Sequence, residues 1–516
     1  MKKSLLAGAV LFFAATAPSA FAQGRPCPHA VPFPGAEVSS PQAMLIPDDV
    51  CVPKNVGVPK SLAYFDDYSW RAFIALVWPA ADGQRGVPDV AHQLEREQEG
   101  MPSGPPLVFE TFKAEWETFP QQAKAHPTDW DIPDDPAGVT SMWTDLQRRC
   151  SNGIALAKPG DFFLTPRTSF GEFENVRQAP FPAAALVAQN GTLVRYLAAY
   201  NEKAYRYIFS PRLYLAENLP KDQKQALAFP VGSVTVKSSW IDLGKPDETA
   251  SVAHPESFHR RLAWLFDPFA QKCEQHVVGL VGLHLVQKTP ERPAWVWSSF
   301  EHVANAPNRK SPAARDHPAG LDNVCPPRAN TTSPYSFNDG SGATMKELPP
   351  NYLVDRWQTN PPPCTPPPVN VERLRAINQD PPAIVTRSTA ETNSKWQETL
   401  RSDGSVWQNY QLVLTQWSTG GRCLNGCGVP EFSAPGRDLN PCPDKRSACN
   451  RLGNSAIVNT SMETWLPDKI ESGCMACHNK VASGRDDLPN NKDPLDYVFS
   501  LRVSAYPPRD ARPEPW

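Results

Sequence analysis

Beyond its opening residues this 516-residue chain has no apolar run approaching the ~20 residues needed to cross a bilayer, so a membrane-spanning protein is not expected. No Gly-rich phosphate loop, hydrolase nucleophile motif or dinucleotide fingerprint occurs, which removes nucleotide and nicotinamide chemistry from consideration. Basic tracts are absent too. Lys plus Arg total 51 against 54 Asp plus Glu, a formal charge of -3, so nucleic acid is not an expected partner. There is no internal repeat, and methionine is scarce at 7 residues.

What is present begins with MKKSLLAGAVLFFAATAPSAFA, residues 1–22: two lysines, an apolar run from Leu5 to Ala15, and Ala20-Phe21-Ala22 ahead of Gln23. That is the pattern of a cleaved secretory signal peptide, so the mature protein is expected to be exported, to a bacterial periplasm. Proline is abundant, at 57 residues, about twice the ordinary ~5% usage, and predicts many irregular connections. The 12 cysteines suit an oxidising compartment. Setting aside Cys474 and Cys477 leaves ten, enough for five disulfides of unreadable connectivity. Cys423, Cys427, Cys442 and Cys449 could hold zinc, but thiols of an exported protein are more often paired with each other.

Periodicity predicts an α+β fold: a large, loop-rich, Pro-rich mixed domain with a central antiparallel sheet, spanning 23–450, and a small helical segment over 451–516. Trp70, Phe73, Ile74 and Val77 fall at helical spacing before Pro79 stops the element. FETFKAEWETF reads as a second helix and NEKAYRYIF as a third. Asn190-Gly191 between two apolar runs predicts a tight hairpin with positive φ at both positions. GSVTVKSSWIDL alternates like a strand with one solvated face. The run at 277–289 and AWVWSSF read as a hairpin buried on both faces, and the Pro-rich stretch 303–383 as an excursion over the surface. Trp295, Trp297, Trp407 and Trp417 are assigned to the core rather than to a redox path.

The chemistry is concentrated in ESGCMACHNK. Cys474 and Cys477 at this spacing, followed at once by His478, form the arrangement that holds a c-type haem: two thioether bonds and an axial imidazole on the iron. One covalent haem c is therefore expected. Downstream, Asp493-Pro494 places a cap and a first-turn proline before Leu495, Val498 and Phe499, a helix suited to the haem edge. The 38 residues after His478 contain neither Met nor His, so a sixth ligand comes from upstream or the iron is open. Met462 is the nearest upstream methionine, with plain packing beside Trp465 as its competing role. His284, His302 and Glu301 are the remaining candidates for iron or substrate chemistry, the alternative being hydrogen-bonded structural side chains. Glu301-His302 is the best acid/base pair by chemistry, but neighbours on a strand point to opposite faces. His254 and His259 with Glu256 imitate a metal pair without the spacing of a known helical motif.

The segments WRAFIALVWPAADGQRGVPD, VGLHLVQKTPERPAWVWSSFEHV, NYQLVLTQW, NTSMETW and GCMACH together resemble a group of exported bacterial mono-haem cytochrome c family proteins of about this length. The resemblance implies haem, export and a shared fold, with roles for Cys474, Cys477 and His478; it implies no reaction. Two functions are consistent with these features. In the first, the chain is an oxidoreductase whose large domain binds a substrate and whose haem takes its electrons or activates peroxide or oxygen. In the second, it is a non-catalytic electron carrier that docks redox partners. Size favours the first, since a haem alone needs only ~80 to 100 residues around it. The expected partner is a small molecule or a protein redox partner.

Overall fold

The computed structural model describes residues 62–89, 91–97, 104–119, 126–132, 161–164, 186–219, 227–267, 272–290, 295–308, 332–340, 370–373, 387–417 and 459–464, with single positions 52, 55, 56, 292, 376, 377, 498 and 501. Within them the fold is α+β. Eight strands form one mixed sheet: β1 (Lys113–Ala114), β2 (Phe162–Phe163), β3 (Arg195–Tyr200), β4 (Val234–Gly244), β5 (Arg260–Asp267), β6 (Lys272–Gln287), β7 (Val296–His302) and β8 (Tyr410–Trp417). The helices are α1 (Leu62–Leu76), α2 (Glu115–Thr118), α3 (Glu202–Phe209) and α4 (Thr389–Ser402).

The 16-residue strand β6 organises the sheet. Along one edge it pairs with β4; along the other, its first half pairs with β5 and its second half with β7, which continues to β8. All pairings are antiparallel except β2 with β5. The run predicted to be buried on both faces is so: Leu280 belongs to the larger apolar core and its neighbour Val281 to the second. A bulge lies between them. Ser239 pairs with Gly282 and Trp240 with Leu280, so Val281 has no opposite residue in β4. That extra residue resets the alternation, and Leu280, Leu283 and Leu285 therefore all reach one core. The Val281 carbonyl, freed from the ladder, accepts from Asn305 Nδ2 at 2.8 Å.

α1 and α4 cover the β7–β8 side. Trp70 stacks on Trp396 with centroids 5.7 Å apart, and Phe73 stacks on Phe300 at 4.2 Å. Two consecutive acids on α1 are buried and bonded: Asp66 accepts from Thr389 and Thr415, each at 2.8 Å, and Asp67 accepts from Trp396 and Arg387. Buried carboxylates persist only with such partners, and here they join α1, α4 and β8. α4 starts with a reciprocal cap in which the Ser388 and Glu391 side chains each take the other's backbone N–H. α3 is capped by Asn201, which accepts from Ala204 N at 3.1 Å.

Two local expectations change. FETFKAEWETF is not one helix but a 3-10 turn over Val108–Thr111, then β1, then the single turn α2. Glu110 and Glu117 fold back onto the backbone N–H groups of Leu107 and Ala114, and Lys113–Ala114 pair with Tyr200 and Ala199, so sheet formation overrides helical propensity. The Asn190-Gly191 hairpin forms, with Val187 opposite Leu193, but of the two turn positions only Gly191 has positive φ, at 80°. The loop is Gln189-Asn190-Gly191 with its glycine left-handed, the common three-residue form. β4 is less solvated than its alternation suggested, with four consecutive buried residues. The four tryptophans assigned to the core are all buried.

Most of 303–383 and all of residues 1–22, the expected signal peptide, lie outside the described residues. Of the segment 451–516, residues 459–464 pack on the sheet and Val498 and Leu501 belong to the larger core.

Candidate functional site

Cys474, Cys477 and His478 lie outside the described residues, so their suitability rests on their donor chemistry: two thiols and an imidazole in the order that thioether attachment and axial ligation require. The chain approaching them is firmly held. In the turn 459–464, Asn459 Nδ2 donates to Ser299 Oγ and to the Phe300 carbonyl at 3.1 and 2.9 Å. Tyr196 OH donates to the Ser461 carbonyl at 2.7 Å, and the Ser461 and Ser239 hydroxyls are 2.9 Å apart. Gly282 lies beneath. A Cβ there would come within 2.4 Å of Ser461 Oγ and 2.6 Å of Ser239 Oγ, so the turn seats only on a glycine.

The candidates read from sequence divide between this anchor and a pocket on the other side of β7. Glu301 is fully buried. Its Oε2 accepts from Thr460 N at 2.8 Å and Thr460 Oγ1 at 2.6 Å, while its Oε1 pairs with Arg373. Both oxygens are committed to structure. His302, although adjacent, turns to the opposite face, where its ring stacks on Phe258 with centroids 4.1 Å apart. Its Nδ1 accepts from Ala304 N at 3.2 Å, which makes Nε2 the protonated nitrogen, donating to the Ser257 carbonyl at 3.1 Å. Burial lowers this imidazole to about 4, and it is neutral. His284 Nε2 lies 3.2 Å from Glu463 Oε1, an ion-pair distance outside hydrogen-bond geometry. Burial raises the Glu463 carboxyl, but His284, the Asn459 backbone N–H and Lys237 together outweigh this and hold it below the usual range. Met462 is 1% exposed and packs in the second core with Val281 and Phe337.

A second charged centre carries no sequence signature, because its histidine lies about 150 residues from its two glutamates. His259 is buried between two carboxylates, with Nδ1 bonded to Glu95 and Nε2 2.9 Å from Glu110 Oε1. Glu110 Oε2 accepts from Leu107 N at 2.8 Å and lies 3.3 Å from Arg261 Nε. Trp407 closes one side, its ring centroid 5.1 Å from the imidazole. Burial opposes the charge on His259, but Glu95 and Glu110 outweigh it and raise the imidazole to about 9. Glu110, despite burial, is held low by Arg261 and His259. The centre is an imidazolium with both nitrogens engaged, joining β5 to two loops. His254 is not part of it: that side chain is exposed and faces Glu256 at 3.2 Å, which ends the notion of a His254–His259 metal pair. Among the described residues no group of three or more His, Cys, Asp or Glu is placed to hold a metal ion.

Two cavities open beside these features. One, of about 100 Å³, lies where Glu110 and Arg261 meet the aromatic wall of Phe109, Trp116 and Phe162. The other, of about 210 Å³, is ringed by loops at one end of the sheet and floored by His302 and Phe258. Among the described residues no helix is long and apolar enough to cross a membrane. Comparison with protein-family models, with curated proteins and with solved structures gave no match.

Proposed function

We propose that the chain is an exported c-type haem redox protein, an oxidoreductase whose large domain binds a substrate and whose single haem is held by Cys474, Cys477 and His478. The observation that carries this reading is the Cys-x-x-Cys-His motif in a chain whose residues 1–22 have the pattern expected of an export signal. When bound, a c-type haem supplies one-electron transfer and, where its iron is open, peroxide or oxygen activation. Cys273 at the start of β6 is disulfide-bonded, which supports an oxidising compartment.

The choice between catalysis and simple electron carriage turns on the sixth iron ligand. Met462 packs in an apolar core and both ring nitrogens of His302 are taken by backbone partners, which argues against these two as the sixth ligand and leaves His284 among the upstream candidates; the catalytic reading requires that His284 does not reach the iron. The large domain, for its part, offers an open-mouthed cavity of about 210 Å³ that could take a substrate.

The test is a haem-stained denaturing gel with an alkaline pyridine spectrum, followed by electron paramagnetic resonance of the ferric protein with and without cyanide. Covalent haem in the native chain, lost in C474A/C477A, and a high-spin iron that binds cyanide are expected. Absence of covalent haem overturns the whole reading. A low-spin, cyanide-resistant iron overturns catalysis at the haem and leaves an electron carrier.

A further inference from the structure

We infer that the larger cavity is a binding site for a small neutral phenol, whose hydroxyl donates to His254. The inference rests on the reading that the large domain binds the substrate, and it names that substrate's class and site.

The cavity is built by loops from distant parts of the chain: the 188–190 turn, the 251–258 segment after β4, residues 303–304 after β7, residues 333–336, and Asn409 ahead of β8. Its volume of about 210 Å³ equals on the order of seven water molecules at ~30 Å³ each, the size of one aromatic ring with a substituent. No Asp, Glu, Lys or Arg occurs among its described lining residues. An anionic ligand would find no Lys or Arg in this lining and would face the Glu256 carboxylate that holds His254, so an anion is disfavoured and a neutral occupant fits. Ile241, Phe258 and Val303 supply apolar lining suited to a ring, and Tyr335 and Asn409 supply polar edges.

Two histidines face the cavity, and their geometry assigns different roles. His302 presents only its ring, both nitrogens being taken by Ala304 N and the Ser257 carbonyl. His254 differs: its Nδ1 is 3.2 Å from Glu256 Oε1, and because a carboxylate only accepts, Nδ1 carries the proton. In the tautomer with the proton on Nδ1, Nε2 carries the lone pair and has no partner among the described residues, so it can accept from a ligand hydroxyl. The backbone holding it is unusual. His254 sits in the left-handed region at φ 53° and ψ 54°, a conformation costing a β-carbon-bearing residue ~1–2 kcal/mol. Its carbonyl is gripped by Ser257 through both N–H, at 3.0 Å, and Oγ, at 2.7 Å. A non-glycine residue maintained in such a conformation beside a cavity is a feature of functional sites.

The experiment is isothermal titration calorimetry of the intact haem-loaded chain with phenol, toluene, benzoate and glycerol. Phenol should bind at one site, toluene ~10-fold more weakly for want of one hydrogen bond, and benzoate and glycerol not measurably. His254→Ala should weaken phenol to the level of toluene while leaving toluene unchanged. Ala253→Phe, at a partly exposed loop position and with retention of the fold checked by circular dichroism, should abolish phenol binding by filling the space. Phenol binding retained in A253F, benzoate or glycerol binding as tightly as phenol, or no phenol binding at all would each overturn the inference. The two readings fail separately: phenol binding to a chain shown to carry no haem leaves the site standing and removes the oxidoreductase, whereas haem without phenol binding does the reverse.

Discussion

His259 Nε2 lies 2.9 Å from Glu110 Oε1 in the interior, and the opposite nitrogen of the same ring is bonded to Glu95. The pair makes a buried positive charge part of the fold, so alkaline pH should remove it. The unfolded imidazole has a pKa of ~6.5, and the folded one is raised to about 9. The stabilisation, on the order of 3 kcal/mol, is therefore fully present below pH 6.5 and lost as pH rises through 9. Urea unfolding midpoints between pH 6.5 and 9.5 should fall, and the fall should flatten in His259→Gln.

His302 should act on the acid side with the opposite sign. Its folded pKa is lowered to about 4 by burial, below its unfolded value, so protonation favours the unfolded chain. Stability should fall as pH drops from 6.5 through 4, by up to about 3 kcal/mol. His302→Phe, whatever its offset at neutral pH, should reduce that slope. The same variant should leave the haem spin state unchanged, since neither ring nitrogen is free.

Glu301 and Arg373 form a buried pair, and burial lowers the guanidinium to about 10. Glu301→Gln should destabilise by about 3–5 kcal/mol, because it strands a buried cation and weakens the cap on Thr460. Arg373→Met in that background should recover part of the loss; a double-mutant cycle by urea titration measures how much.

Gly282→Ala should lower stability by about 1–3 kcal/mol by pushing against Ser461 and Ser239. Gly104→Ala, with nothing within 4 Å of its added carbon, is the matched control and should be near neutral. Because the described turn 459–464 seats on Gly282, proteolysis within that turn should quicken in G282A.

Periodicity located α1, α3, β4, β6 and β7, since each carries an apolar face or run dense enough to define its burial without help from elsewhere. The strand β5, RRLAWLFD, passed unnoticed: its arginines broke the apolar pattern, and one of them, Arg261, contacts buried Glu110. The four-residue α2 and the Val281 bulge were equally illegible, being set by partners on β3 and β4 rather than by their own residues.

The Cys-x-x-Cys-His motif is the opposite case. Its pattern is complete within five consecutive residues, and sequence alone yields the proposed cofactor and the three residues proposed to attach it. Sequence also foresaw that Glu301 and His302 would diverge, because alternation along a strand is a property of the backbone. Only tertiary structure decided what each then met: Arg373 and Thr460 for one, Phe258 and a ligand-sized cavity for the other. It alone brought Glu95, Glu110 and His259 together across about 150 residues, and it alone distinguished His254, with a free nitrogen at a pocket mouth, from His302 with none. Local chemistry is written in neighbouring residues; the company a side chain keeps depends on contacts that close only when the whole sheet has formed.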